Sequence, residues 1–279
     1  MNYQLKKIND KKVKPLKINQ PNPEDIKGGE LFPEKYFTVY MVAPPRSGKT
    51  TTIFNILKNI MDKRTSFYGF VGTHNCDPSY EIIKTYFDKK DINYEFYYDI
   101  KEKGLRKHYL ADLIKQFKEE EKNDKKKVET IYYETSIFGN DDEIKIKTTQ
   151  YKPKKQVPER VILFDDMSVD LRDQYVNKII KEFRHYKCVV IISSQTLFDV
   201  LPSSRESLNY FLLFKGIENK KIQDLYDKIG LNIGVETFEE LYKDATREKY
   251  SFLYVSKNKE FRKNFSYEYI LESEDEDED

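Results

Sequence analysis

The 279-residue chain lacks the features that mark secreted and membrane proteins. It has only two cysteines, Cys76 and Cys188, which are too few for a disulfide framework, and its N-terminus does not resemble a secretory signal. No apolar run approaches the roughly 20 residues that a helix needs to cross a bilayer. We therefore expect a protein of a reduced, intracellular compartment without a membrane span.

Ligands for a structural metal are also scarce. His74 and Cys76 lie close together, but a zinc site normally takes four ligands from paired clusters, and the sequence has no second pair. A structural metal is therefore not expected.

Charge is distributed unevenly along the chain. The formal net charge is +1, from 49 basic and 48 acidic residues. Seven of the acids lie in residues 272–279, which leaves 49 basic and 41 acidic residues, or +8, for the rest. We expect 272–279 to be a disordered acidic tail and residues 1–36 to be a basic extended arm, either solvated or in contact with DNA. Residues 37–271 then form one domain.

A strand followed by a phosphate-binding loop is the strongest motif. The apolar run 37–42 leads into Ala43-Pro-Pro-Arg-Ser-Gly-Lys-Thr50, and a helix-patterned stretch follows. Such a loop directs backbone N–H groups and the positive end of a helix dipole at an anion. Lys49 is expected to reach the β- and γ-phosphates and Thr50 to ligate Mg²⁺. The expected nucleotide contacts are Ala43, Pro44, Pro45, Arg46, Ser47, Gly48, Lys49, Thr50 and Thr51.

Ala43 occupies a position where the usual pattern has glycine. Alanine is small, and Pro44 and Pro45 precede the residues whose N–H groups normally surround the phosphate. No essential donor is lost, so the loop stays competent to bind phosphate.

Strand-like and helix-like segments alternate from residue 37 onward, which predicts an α/β fold with a mostly parallel central sheet flanked by helices. The predicted strands are 37–42, 66–71, 94–98, 161–165, 188–193, 209–214 and 250–255. Residues 115–158 are rich in charge and poor in apolar residues, so we expect a long charged insertion there, and its first residues are compatible with a helix.

Two carboxylates follow the strand Val161-Ile-Leu-Phe-Asp165 at its carboxyl end, where α/β sheets bind ligands. Asp165 is the expected Mg²⁺ carboxylate. Asp166 points elsewhere and is the expected base or orienting group for the attacking water. A helix-capping pair is the alternative, and the phosphate loop argues against it.

Gln195 ends the next apolar strand, Val189-Val-Ile-Ile-Ser-Ser. An amide can accept a hydrogen bond from water and donate one to a phosphate oxygen, so Gln195 is a candidate sensor of the γ-phosphate. Its alternative role is that of a turn residue before Thr196.

Arginine is rare, with nine residues in the chain, and two of them are candidates for the stabilisation of γ-phosphate charge. Arg184 ends the helix after the acidic pair, and Arg205 lies in a loop before the strand at 209. Either is a candidate arginine finger that acts on a neighbouring subunit, with Arg205 preferred. A cation at a helix C-terminus is the alternative for Arg184.

In the order and content of these motifs, the chain resembles the poxvirus-type DNA-packaging ATPases of the FtsK–HerA superfamily, found in large DNA viruses and virophages. The resemblance rests on 43–50, 161–166, Arg184-His185, Ser194-Gln195 and 201–205, and it spans about residues 36–256. Many relatives carry Glu where this chain has Asp166. Because an aspartate side chain is one methylene shorter than a glutamate side chain, the proposed base has a shorter reach here.

The resemblance implies a P-loop NTPase with a RecA-like core in a homo-oligomeric ring, expected as a hexamer. Such a ring couples hydrolysis of ATP, with Mg²⁺, to the movement of double-stranded DNA into a preformed capsid. The implied partners are DNA, bound without sequence specificity, and a capsid or portal-like viral protein. The implied location is the host cell cytoplasm or a viral factory. Association with the virion is a further alternative that the resemblance leaves open. The insertion 115–158 is the candidate DNA contact, and no nuclease signature is evident.

Two other functions are compatible with the phosphate loop. One is a kinase or other small-molecule phosphotransferase, against which Gln195 and the second acid argue. The other is an assembly protein that nucleotide binding merely switches.

Overall fold

The computed structural model describes residues 21–73, 75, 77–102, 107–134, 154–196, 199–231, 233–257 and 260–271. Several sequence-based predictions lie outside these residues: the first part of the arm, His74 and Cys76, the acidic tail, and residues 135–153 of the insertion.

In the described part of the chain, nine strands form one sheet in the order β3-β2-β4-β5-β1-β6-β7-β8-β9. The strands are β1 (Thr38–Val42), β2 (Ser66–Val71), β3 (Tyr94–Tyr97), β4 (Arg160–Asp165), β5 (Cys188–Ser194), β6 (Tyr210–Phe214), β7 (Phe252–Ser256), β8 (Phe261–Lys263) and β9 (Tyr267–Glu268). The pairs from β3 to β6 are parallel, and those from β6 to β9 are antiparallel.

Helices cover both faces of the sheet. They are α1 (Lys49–Ile60), α2 (Pro78–Lys90), α3 (Tyr109–Glu134), α4 (Gln174–Glu182), α5 (Pro202–Arg205), α6 (Asn219–Ile229) and α7 (Val235–Ala245). Buried residues of α1 and α2 pack on one face, and those of α3, α4, α6 and α7 pack on the other. Because alternate strand residues point to opposite faces, the central strands are apolar throughout. The α/β prediction is thus confirmed.

The C-terminal hairpin was not expected from the sequence. Each of the seven predicted strands is present with ends shifted by two residues or fewer, but β8 and β9 were missed, as was the antiparallel pairing of β7. Strands of two or three residues are too short to show a periodic pattern. The hairpin extends the sheet beyond β6.

Helix α3 begins before the predicted insertion and packs its first turns on the core. Phe117 is almost fully buried, and the guanidinium carbon of Arg160 lies 4.5 Å from the centre of its ring. Arg160 also forms an ion pair with Glu120. Residues 115–120 therefore belong to the packed domain, and the predicted insertion starts too early. No helix in the described residues is both long enough and apolar enough to cross a membrane.

Residues 21–36, the described part of the predicted arm, pack against the domain. Ile26 pairs with Gln156 in an isolated parallel bridge, and both Ile26 and Phe32 are buried. Gly29 permits the tight path of this segment, because a Cβ there would lie 1.9 Å from the carbonyl oxygen of Pro23. The predicted domain boundary at residue 36 is therefore too late, since isolated apolar anchors between turns leave no periodic signal.

Replacement of Phe32 by alanine tests this packing. The Phe32 ring is stacked on that of Phe37 at 4.4 Å and packs at a tilt against that of Tyr210 at 5.0 Å, and it has no exposed surface. Phe32→Ala should lower the free energy of unfolding by about 3–5 kcal/mol, measured by urea denaturation. Ile270→Ala, at a side chain that is 89% exposed, should change it by less than about 0.5 kcal/mol. Equal small effects would contradict the assignment of residues 21–36 to the core.

Candidate nucleotide-binding site

Three neighbouring parallel strands bring the predicted motifs to one edge of the sheet. β5 lies between β4 and β1, with Asp165 opposite Ser193 and Val42 opposite Ser194. The carboxyl ends of parallel strands meet at the same edge. The acidic pair, Gln195 and the phosphate loop therefore lie side by side, although they are far apart in the chain.

The phosphate loop is held close to the sheet. Ala43 is buried, and its N–H donates to the carbonyl oxygen of Ser194 at 2.9 Å. The N–H of Ser47 donates to the carbonyl oxygen of Pro44 at 3.3 Å, which closes a turn in which Arg46 has a φ of 63°. Proline at the second position and a positive φ at the third are features of a type II turn. Alanine at position 43 thus fits as a small core residue.

Gly48 joins this turn to α1. It is the N-cap residue with a φ of 92°, a conformation that glycine adopts without strain. The first turn of α1 contains no acidic side chain, and Gly48 offers no capping side chain. The free N–H groups at this helix end, with the positive end of its dipole, are suited to bind an anion.

Lys49 connects the loop to the acidic pair. Its Nζ lies 3.4 Å from Oδ1 of Asp165 and forms a closer ion pair with Oδ2 of Asp166. The side chains of Lys49 and Asp165 are only 14% and 4% exposed, so these two charges interact with little screening by water. The cation expected to bind phosphate therefore lies against both carboxylates.

Asp165 is a buried carboxylate, and its burial raises its pKa. The charge of Lys49 and a hydrogen bond from Tyr80 act in the opposite direction. The Tyr80 hydroxyl donates to Oδ2 of Asp165 at 2.5 Å, whereas Oδ1 has no hydrogen-bond partner among the described residues. An anionic oxygen in this position is the type of ligand that Mg²⁺ prefers. Sequence reasoning missed Tyr80, whose helix carries no recognisable motif.

Asp166 has a different environment, although it is adjacent in sequence. Its side chain is 41% exposed, and its backbone has a φ of 54°. Its N–H donates to the carbonyl oxygen of Ser193 at 3.2 Å. This backbone turn separates the two carboxylates, so that Asp165 stays in the core while Asp166 lines an open cleft.

Gln195 is exposed at the same cleft, and the segment that carries it is braced from both sides. The hydroxyl of Ser194 donates to Asp199, and the hydroxyl of Thr196 donates to the same carboxylate at 3.2 Å. The Tyr40 hydroxyl donates to the carbonyl oxygen of Thr196 at 2.5 Å. These bonds hold the backbone around Gln195 in place.

The cleft has a volume of about 1250 Å³. Its lining includes most of the residues predicted from the sequence: Pro45, Arg46, Gly48, Lys49, Thr50, Thr51, Asp166 and Gln195. The other lining residues are Thr52, Asn55, Asp77, Ser79, Lys249, Tyr250, Phe252, Asn264 and Phe265. The last five lie just before β7, within β7 and in the turn after β8, where the sequence carries no nucleotide-binding motif.

The two candidate arginines are not part of the cleft lining. Arg184 is exposed in the turn before β5, at the amino end of that strand and about 20 Å along it from Gln195. Arg205 ends α5, and its guanidinium donates to the carbonyl oxygen of Val200 at 3.1 Å. Neither arginine lines the cleft.

The chain matches no protein-family model and no curated protein. Its fold is similar to that of the genome packaging NTPase B204 of Sulfolobus turreted icosahedral virus 2 bound to ATP-γ-S, with a TM-score of 0.45, 16% identity and coverage of 81% of this chain and 94% of that one. The DNA-packaging ATPase B204 of Sulfolobus turreted icosahedral virus is similar with a TM-score of 0.47, 16% identity and coverage of 80% and 93%.

The cytoplasmic domain of the type VII secretion ATPase EccC of Thermomonospora curvata is similar with a TM-score of 0.41, 9% identity and coverage of 80% of this chain and 24% of that one. Identities of this size leave the function to be argued from the residues of the site.

Replacement of Tyr80 by phenylalanine tests its contact with Asp165. The change removes a hydrogen bond to a buried carboxylate, so the free energy of unfolding should fall by about 1.5–3 kcal/mol in urea denaturation. Tyr94→Phe is the matched control, because the Tyr94 hydroxyl donates to the exposed Asp88 at 3.1 Å. The control should change stability by less than about 0.5 kcal/mol. A similar loss in both variants would contradict a special role for the buried bond.

Proposed function

We propose that this chain is an ATP-hydrolysing motor that moves double-stranded viral DNA into a preformed capsid. The carrying observation is that Lys49 lies against Asp165 and Asp166 where β1, β4 and β5 end, with Gln195 in the same cleft. This arrangement provides a phosphate-binding cation, a buried metal carboxylate, an exposed base and an amide. Those are the groups that hydrolysis of a nucleoside triphosphate requires.

ATP binds with its phosphates along the loop from Pro45 to Thr51. The N–H groups at the start of α1 and the ammonium of Lys49 neutralise the negative charge of the phosphates. A bound phosphate then competes with the two carboxylates for Lys49.

Thr50 and Asp165 would hold Mg²⁺. Oδ1 of Asp165 accepts no hydrogen bond among the described residues and faces only the charge of Lys49, so this oxygen and the oxygen chemistry of both side chains fit the ion. Bound there, Mg²⁺ would supply neutralisation of the charge that develops on the phosphate oxygens.

Asp166 acts as the base for the attacking water, and Gln195 orients that water. The water oxygen bonds to the γ-phosphorus while the bond from that phosphorus to the bridging oxygen of ADP breaks. A proton of the water passes to the carboxylate of Asp166. Because this side chain is partly exposed, the proton can then leave to solvent.

The step from ATPase to packaging motor rests on the family resemblance and on charge. Outside its acidic tail the chain carries a formal charge of +8. A motor must grip DNA phosphates without reading bases, and Lys-rich surfaces provide such contacts. Within the predicted insertion 115–158, the part that follows the packed residues 115–120 is the proposed DNA contact, and a capsid or portal-like protein is the proposed docking partner. The chain works as a homo-oligomeric ring, proposed as a hexamer, in the host cytoplasm or a viral factory.

A phosphotransferase is the second candidate, since it would use the same phosphate loop. It would show turnover that depends on a small acceptor, whereas the motor transfers phosphate only to water. A nucleotide-switched assembly protein is the third candidate, and normal genome packaging by a Lys49→Ala protein would favour it.

Lys49 and Asp166 should differ when replaced. Lys49→Ala should abolish nucleotide binding or turnover, because the phosphate cradle loses its cation. Asp166→Asn should leave ATP bound but reduce kcat by about 10²–10⁴-fold, because the base is lost. Asparagine tolerates the positive φ at this position, so the loop should persist. Calorimetry measures nucleotide binding, and phosphate release measures turnover.

Asp227→Asn, at an exposed site on α6, is the control and should leave both unchanged. Normal turnover in Asp166→Asn would mean that another group is the base.

Arg205 is the preferred finger, and it should act across a subunit boundary. Arg205→Lys keeps the charge but loses the planar guanidinium. When this variant is mixed with wild-type subunits, ATPase activity should fall more steeply than the wild-type fraction, because each defective subunit disables its neighbour. A parallel series with Arg184→Lys compares the two candidates. Activity in simple proportion to the wild-type fraction would contradict action in trans.

The function as a whole is tested by an ATPase assay, with and without duplex DNA, on protein separated by size. Activity should be stimulated by DNA and should reside in the oligomeric fraction, and DNA binding should weaken steeply with added salt. ATP turnover that is independent of DNA and requires a small metabolite would contradict the proposed motor function.

A further inference from the structure

The nucleotide cleft has a second wall that the phosphate chemistry does not use. We call it the aromatic wall and define it as Lys249, Tyr250, Asn264 and Phe265, all of which line the cleft. Lys249 and Tyr250 precede β7, and Asn264 and Phe265 follow β8. Because β7 runs antiparallel to β6, and β6 is parallel to β1, the wall reaches the edge of the sheet that holds the phosphate loop.

Tyr250 has a conformation that folding alone does not explain. Its φ is 68°, which is costly for a bulky residue, yet its side chain is 56% exposed and contributes little to the core. Strained residues of this type occur mostly at functional sites. The ring lies beside the phosphate loop, since a Cβ on Gly48 would be 3.1 Å from Cδ1 of Tyr250. The strained backbone thus holds an exposed ring next to Gly48 of the phosphate loop.

The rest of the wall is rigid. The N–H of Phe252 donates to Oδ1 of Asn264 at 3.1 Å, and the N–H of Asn264 donates to the carbonyl oxygen of Phe252 at 3.0 Å. The ring of Phe265 packs edge-on against Phe252 at 5.1 Å and Phe32 at 5.7 Å. The Nζ of Lys249 lies 4.7 Å from the centre of the Tyr250 ring. A surface fixed in this way can bind a flat ligand without reorganisation.

The other end of the cleft has a different chemistry. The lining residues contributed by α1 beyond its first turn and by the start of α2 are Asn55, Asp77 and Ser79, none of which is aromatic. The Asp77 carboxylate is already used, because it accepts the N–H of Ser79 at 2.8 Å at the start of α2. A planar ring would bury more of its surface against apolar side chains on the aromatic wall than at this end.

We propose that the aromatic wall binds the nucleobase, which stacks on the ring of Tyr250, and that it prefers purines to pyrimidines with little discrimination between adenine and guanine. This inference rests on the proposed function, which places the triphosphate on the adjacent loop. Stacking tolerates any base because every base has a π-face, and purines offer the larger face. Strong selection between adenine and guanine would require paired donors and acceptors aimed at the base edge.

The test compares ligands with and without a base on the full-length chain. Calorimetry measures the affinity for the β,γ-methylene triphosphates of adenosine, guanosine, cytidine and uridine, and for inorganic tripolyphosphate. In wild-type protein the two purine analogues should bind alike and more tightly than the pyrimidine analogues. Tyr250→Ala should weaken the purine analogues roughly tenfold or more and leave tripolyphosphate binding unchanged. Tyr250→Phe should retain wild-type affinity for all of the ligands.

Tyr267→Ala is the matched control, because Tyr267 is 70% exposed on β9 and does not line the cleft. Equal weakening of nucleotide and tripolyphosphate in Tyr250→Ala would mean that the ring only supports the phosphate loop, and would overturn the inference. So would unchanged nucleotide binding, or strong selection of adenine over guanine in the wild type. If the wild-type protein binds tripolyphosphate with the same affinity as the ATP analogue, only the base site is refuted. If it binds neither ligand, the proposed function is refuted too.

Discussion

The contact between the Lys49 ammonium and the buried carboxylate of Asp165 is the interaction on which the candidate site depends. A carboxylate in the core is costly unless it is paired and hydrogen-bonded, and here Lys49 and the Tyr80 hydroxyl meet that need. The pairing requires β1 and β4 to end at the same edge with β5 between them. The same charge pair that satisfies the core therefore places the cation proposed to bind phosphate in the lining of the cleft.

Adjacent residues acquire different chemistry from this arrangement. Asp165 is the last residue of β4 and keeps the direction of a buried strand, whereas the positive φ of Asp166 turns the next carboxylate toward solvent. One carboxylate is thereby suited to hold a metal, and the other can exchange a proton with water. The two roles follow from a single backbone turn after an apolar strand.

The cleft also depends on the two ends of the described domain. The segment before β7 adds Tyr250 to the cleft beside the phosphate loop, and the turn after β8 adds Phe265, which packs against Phe32 from the N-terminal segment. Phe32 itself stacks on Phe37, which immediately precedes β1. The wall of the cleft is thus linked through an aromatic cluster to the strand that carries the loop, so that damage to this cluster should also affect the nucleotide site.

Local patterns in the sequence were enough to determine the alternation of strands and helices, the loop at 43–50, the acidic pair and the amide at 195. Each of these is encoded within about ten neighbouring residues, where hydrophobic periodicity and turn chemistry act. Only the tertiary structure decided that Tyr80 hydrogen-bonds Asp165, that Tyr250 faces the phosphate loop, and that residues 21–36 join the core. It also left both candidate arginines out of the cleft lining. These features depend on contacts between segments far apart in the chain, and the residues involved look locally like ordinary helix, turn or loop positions.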